Sequence, residues 1–119
     1  MQPKLFSVLI AITVVWSARS AAAEDSFTIG ASLGLTGPAA AFSGSVQNGI
    51  NLALEELGKD SPVPLKIVFE DDSCQPKKAV SSVTKLLSTD KVDFVITASS
   101  ATSKAVSPLT ERAKTPDVS

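Results

Sequence analysis

The sequence predicts an α/β fold, a parallel sheet with flanking helices, and three observations predict it. Short apolar segments of strand character recur at Phe27–Leu33, Leu65–Glu70 and Val92–Ile96. Each is followed by a longer segment whose apolar residues fall at helical spacing. The connections that leave the strands are rich in Gly, Ser, Thr and Asp, which suit turns and helix starts. Strands alternating with helices of ten to fifteen residues imply βαβ units and hence a parallel sheet.

Taken in order, Phe27–Leu33 places Phe27, Ile29, Ala31 and Leu33 on one face by the two-residue period of a strand. Gly34–Gly44 reads as a loop. A first helix is expected from about Ser45 to Leu57, with Val46, Ile50, Ala53, Leu54 and Leu57 as its apolar stripe. Ser43 or Ser45 is placed to cap its start and Gly58 to end it. Leu65–Glu70 is the second strand, followed by Asp71-Asp72-Ser73. The second helix runs from Pro76, which suits a first turn because its missing N–H is not needed there, to Ser88. Its stripe is Ala79, Val80, Val83, Leu86 and Leu87. Val92–Ile96 is the third strand, apolar except for Asp93, and Thr97–Ser103 a small polar loop. A third helix lies between Lys104 and Ala113. There either Pro108 kinks it, or Ser107 caps it with Pro108 as first residue. Pro116–Ser119 reads as the beginning of a fourth strand.

The first residues carry a different signal. Lys4 precedes an apolar run from Leu5 to Trp16, broken only by Ser7 and Thr13, and small residues follow, ending Ala21-Ala22-Ala23. This is the pattern of a secretory signal peptide, and the run is short of the roughly 20 apolar residues of a membrane span. Residues 1–23 are therefore expected to be removed, leaving residues 24–119 as one domain. No cysteine stands near the cleavage site to take a lipid.

Composition narrows the function. Glu24–Ser119 carries nine basic and twelve acidic side chains, with the signs interspersed, and no basic patch for nucleic acid. There is no histidine, the commonest general base and zinc ligand. No nucleophile motif is present either, so an enzyme is not expected. Cys74 is the only cysteine and has no partner within the chain. Adjacent Asp71 and Asp72 make a poor metal site alone. They are better placed to accept hydrogen bonds from loop amides beside the helix that starts at Pro76. Neither a metal nor a cofactor is expected.

In parallel sheets, ligands bind outside the carboxyl ends of the strands. Those ends are the loops Gly34–Gly44, Asp71–Gln75 and Thr97–Ser103. The first is neither a Walker loop nor a dinucleotide fingerprint. It is either an ordinary strand-to-helix turn or an opening to a helix N-terminus that attracts anions. Phe42, a bulky residue among small ones, is either tucked into the core or facing a ligand. The third loop is full of hydroxyls. A carboxylate there can accept hydrogen bonds from Ser99, Ser100 or Thr102 and from amides at the helix start.

At these residues the chain resembles the leucine/isoleucine/valine-binding branch of the type I periplasmic binding proteins. The resemblance runs from Phe27 to Ser119. It is carried by "IGASLGLTGPAAAFSG", "GINLALEEL", "EDDSCQPKKAV" and "VDFVITASSATSKAVSPLTERAKTP", in that order. It implies two α/β lobes closing on a ligand, of which residues 24–119 form part of lobe 1. It implies that an amino acid's carboxylate is held by the group Ser99, Ser100 and Thr102, and that Phe42 contacts the ligand. It further implies a periplasmic location, an amino acid or amide as solute, and an ABC permease of the inner membrane as partner. The disulfide that family members often form at the position of Cys74 has no second cysteine here. The glycine-rich turn after the first helix is replaced by Lys59–Pro64. Family members are about threefold longer, so the chain is expected to be an incomplete lobe, marginally stable and weak in binding by itself. A ligand-sensing domain of a receptor or amide sensor is the alternative, and a secreted α/β enzyme a further one.

Overall fold

The computed structural model describes residues 25–119, so the expected signal peptide, residues 1–23, lies outside the described residues. Four strands form one parallel sheet: β1 (Phe27–Leu33), β2 (Leu65–Asp71), β3 (Phe94–Thr97) and β4 (Asp117–Val118). Three helices connect them: α1 (Ala40–Gly58), α2 (Pro76–Ser88) and α3 (Ser100–Ala113). The sheet order is β2-β1-β3-β4.

That order dictates where the helices lie. The chain steps one way across the sheet from β1 to β2, then reverses to reach β3 and continues to β4. Because crossovers between parallel strands are right-handed, the reversal puts α1 on one face and α2 with α3 on the other. The α2/α3 face holds the core: Ala79, Val83, Leu86, Val92, Val95 and Val106 are buried together, with Val68, Leu87 and Leu109 against them. Gly30 is small for a reason here, since a Cβ would come 3.0 Å from Leu86 Cδ1 and 3.1 Å from Val92 Cγ1. Strand alternation and the register Ile29↔Ile67, Ala31↔Phe69, Ile29↔Phe94 and Ala31↔Ile96 turn these residues to the α1 face.

Both the parallel sheet and the strand-helix alternation follow the sequence pattern. β1 and α2 have the expected bounds. β2 and β3 each run one residue further, to Asp71 and Thr97, β4 starts one residue later, at Asp117, and three boundaries differ by more. First, α1 starts at Ala40 rather than near Ser45, because Ala40 and Ala41 are strong helix formers and extend it backwards. Neither Ser43 nor Ser45 caps it: Ala39 is the N-cap, the Ser43 amide donates to the Ala39 carbonyl, and Ser45 Oγ donates back to the Ala41 carbonyl.

Second, α3 starts at Ser100 and runs straight through Pro108 to Ala113, so Ser107 is not its cap. The carbonyl that Pro108 leaves unpaired belongs to Lys104, which is exposed to water, and this limits the cost. Third, Val92 and Asp93 stand outside β3. The Asp93 carboxylate accepts the Thr28 amide at 2.8 Å and the Asp93 amide donates to the Thr28 carbonyl at 2.7 Å. A side chain thus takes the place of the ladder at that end.

Candidate functional site

The reversal of direction between β1 and β3 has a geometric consequence. These two strands are hydrogen-bonded neighbours up to the pair Ser32↔Thr97, but the chain leaving β1 turns to one face and the chain leaving β3 to the other. A crevice opens between the two departing connections, the switch point at which open α/β sheets bind ligands. Its walls are the first turns of α1 and α3.

On the α1 side, the connection is short and tightly wound. The Leu35 amide donates to the Leu33 carbonyl at 3.0 Å and the Ala40 amide to the Gly37 carbonyl at 3.1 Å. Gly37 adopts φ +82°, which a glycine takes without strain. Gly34 is required for a different reason: a Cβ would fall 2.4 Å from the Sγ of Cys74. Phe42 belongs to the first turn of α1, not to a loop, and its side chain is 62% exposed. It is not tucked into the core.

On the α3 side, Ser99 holds an extended backbone (φ −145°, ψ 132°) and the helix begins at Ser100. Amides in a first helical turn lack partners inside the helix, and the turn carries partial positive charge. Ser99 is half-buried and Ser100 exposed. Thr102 is fully buried, and its hydroxyl donates to the Ser99 carbonyl at 2.9 Å. The structure therefore groups Ser99 and Ser100 at the mouth and turns Thr102 inward, where it braces the turn. Phe42 lies in the first turn of α1, on the other side of the switch point.

Behind these walls the two adjacent carboxylates at the end of β2, Asp71 as its last residue and Asp72 just after it, do separate jobs. Asp72 is buried, accepting the Ser32 hydroxyl at 2.8 Å and the Cys74 amide at 2.8 Å. Asp71 is exposed and reaches across to the first connection. It accepts the Thr36 hydroxyl, the Thr36 amide at 3.2 Å and the Ser73 amide at 2.8 Å. The Thr36 hydroxyl hydrogen bond holds the Asp71 carboxyl below the ordinary carboxylate range. Slight burial opposes this, and the amides of Ser73, Thr36 and Leu35 reinforce it. Sequence reasoning assigned both aspartates to loop amides but missed Thr36 and Ser32. Both contacts depend on the register Leu33↔Asp71, which brings the ends of β1 and β2 level and appears only in the folded sheet.

Among the described residues no group of three or more His, Cys, Asp or Glu side chains is placed to hold a metal ion. Cys74 is a free thiol, half-buried against Gly34. A shallow groove lined by Glu56, Leu57, Asp60, Ser61 and Leu65 lies at the opposite end of the sheet and belongs to no candidate loop.

Comparison with known proteins bears on this geometry. A family profile described as periplasmic binding protein matches residues 26–119. The Leu/Ile/Val-binding protein BraC3 of Rhizobium johnstonii is 36% identical over 91 residues, covering 74% of this chain and 24% of that protein. A leucine-binding protein, LivK, from Thermotoga maritima superposes with TM-score 0.70 at 29% identity, over 76% of this chain and 26% of that one. A solute-binding protein of an ABC transporter from Rhodopseudomonas palustris, solved with 3,4-dihydroxybenzoic acid, superposes with TM-score 0.73 at 26% identity, over 79% of this chain and 26% of that one. The chain spans about a quarter of the length of the curated relatives it matches.

Proposed function

The chain belongs to the periplasmic binding protein family, and we propose that it serves as the extracytoplasmic solute-binding component of an ABC importer for branched-chain or other amino acids or amides. The observation that carries the reading is the switch point between β1 and β3. On its two sides stand the open start of α3, with the hydroxyls of Ser99 and Ser100, and the first turn of α1, with the exposed ring of Phe42. Unpaired amides with adjacent hydroxyls suit a carboxylate or an amide oxygen. An exposed aromatic ring suits an apolar side chain, which it desolvates when a cleft closes.

Thr102 joins the group as the brace of that turn. The described residues form one wall of the cleft, and the resemblance supplies a second lobe as the other. Residues 1–23 export the chain to the periplasm, where an inner-membrane ABC permease takes the solute. The relatives are named as binding proteins rather than enzymes, which favours a binding role. The relative solved with a dihydroxybenzoate widens the solutes to test to aromatic acids.

The test is made on the protein purified from the exported fraction of its source cell. Its N-terminus should read Glu24, and one solute class among branched-chain amino acids, short amides and hydroxybenzoates should raise its melting temperature saturably. A ligand at a hundred times its Kd stabilises by about 2.7 kcal/mol, a readily measured shift. Ser100→Ala should weaken that shift. Retention in the cytoplasm with Met1 intact, or no response to any of the three classes, would overturn the proposal.

A further inference from the structure

The first wall of the crevice is held from outside itself. The connection from Gly34 to Ala39 has only two short backbone hydrogen bonds within it, from Leu35 to Leu33 and from Ala40 to Gly37. Its middle residue, Thr36, is exposed, yet both its amide and its hydroxyl are taken by one carboxylate, that of Asp71 at the end of β2. That carboxylate is itself oriented by the Ser73 amide at 2.8 Å. Ser73 Oγ stands 2.9 Å from Thr36 Oγ1, and Lys78 Nζ donates to Ser73 Oγ at 3.2 Å. The third loop has no such tether and makes its bonds within itself and toward β4, through Ser103 to Ser99, Thr102 to Ser99 and Thr97 to Val118.

We infer that Asp71 is a positioning residue for the crevice: by holding Thr36 at two points it fixes the β1–α1 connection and with it the direction in which Phe42 projects. The inference rests on the proposed binding function for its consequence, but not for its mechanism. Two bonds from one carboxylate to one residue remove both rotation and sliding of the connection. Four residues past the last tethered bond, Ala40 begins α1, and Phe42 follows within its first turn. An error in the angle of the connection is therefore carried directly to the ring. Removing the charge while keeping the shape, with Asp71→Asn, weakens the two bonds from Thr36 and the one from the Ser73 amide and leaves the buried Asp72 contacts untouched.

The experiment compares Asp71→Asn, Thr36→Val, the double variant and Thr36→Ser in the full chain, with two readouts. Amide hydrogen exchange is measured without ligand. Asp71→Asn and Thr36→Val should each speed exchange at residues 35–42 by about tenfold or more, the size expected for a charge-assisted bond, while leaving α2 amides unchanged. The double variant should be no faster than either single one, and Thr36→Ser should restore protection. Solute affinity is measured on the same variants with the class that stabilises the wild type. It should fall with Asp71→Asn and Thr36→Val and recover with Thr36→Ser. Exchange that is unchanged, or that rises equally across the chain, overturns the inference. If the wild type binds none of the solute classes, the binding proposal fails while the exchange result still decides whether Asp71 fixes the connection.

Discussion

The two faces of the sheet are closed to different degrees, and the strands' more apolar face is the less covered one. On the α2/α3 face, Val83, Leu86, Val95 and Val106 are fully buried. On the α1 face, Ala31 and Leu33 are buried near the carboxyl end, but Ile29, Ile67, Phe69, Phe94 and Ile96 keep part of their surface in water. Phe27 is 40% exposed at the far end. α1 lies over this face alone and buries only Ser43 completely, while its Leu52 and Leu57 are more than 60% exposed. A parallel sheet is normally covered on both faces. The difference teaches that the stability of these residues comes mainly from one side, where each fully buried Leu or Val contributes roughly 1.5–3 kcal/mol before entropy is counted.

The largest contrast should come from truncating a leucine on each side. Leu86→Ala removes a side chain packed against Gly30 at the centre of the closed face and is expected to cost about 2–5 kcal/mol, enough to abolish a cooperative urea transition in a marginal fold. Leu57→Ala, 63% exposed on α1, should change the midpoint by less than about 0.5 kcal/mol. Equal losses would mean that α1 is packed as tightly as α2 in solution.

A sharper version uses one chemical change with opposite signs. Gly30→Ala adds a methyl 3.0–3.1 Å from three buried atoms of Leu86 and Val92, and such overpacking should cost about 1–3 kcal/mol. Gly49→Ala, inside α1 with nothing within 4 Å of the new Cβ, should stabilise by about 0.5–1 kcal/mol, because alanine loses less chain entropy in a helix. Urea midpoints of the two variants read both effects. Two shifts in the same direction would break the comparison.

What the sequence showed follows the same division. β1 and α2 were legible end to end because their apolar residues hold a strict period and Pro76 marks a start. The sheet, and the loops at its carboxyl ends, followed from the alternation alone. The starts of α1 and α3 were not legible. Ala39-Ala40-Ala41 and Ser99-Ser100-Ala101 are runs of small residues with no apolar period, and the same residues make good loops. The sequence alone therefore places Phe42 in a loop, whereas it stands on a helix. Thr102 looked like one more loop hydroxyl, and its burial becomes visible only once α3 lies on the sheet beside α2. The Thr36–Asp71 contact spans 35 positions and exists only through the register of β1 and β2, which no local pattern encodes.

The smallest expected effect tests the rim that joins the two faces. Asp71 has its folded-state pKa depressed, chiefly by the Thr36 hydroxyl. A depressed carboxylate favours the folded arrangement above its unfolded pKa of about 3.9, and this advantage is lost as pH falls below that value through the folded pKa. Thr36 and Ser73 amides should thus remain protected from pH 7 to about 5 and loosen below about pH 4. Asp71→Asn should lack this step, since its amide does not titrate. Asp72 sits on the neighbouring residue and Lys78 reaches Ser73, so Asp72→Asn and Lys78→Met are the controls that assign the step to Asp71. Because Asp71 is exposed, solvent screens its share of the whole fold's stability. The signature should therefore be local to the first connection, with α2 amides unmoved. A pH step of equal size in the closed core would instead tie Asp71 to the stability of the α2/α3 face, and the rim would cease to be separable from it.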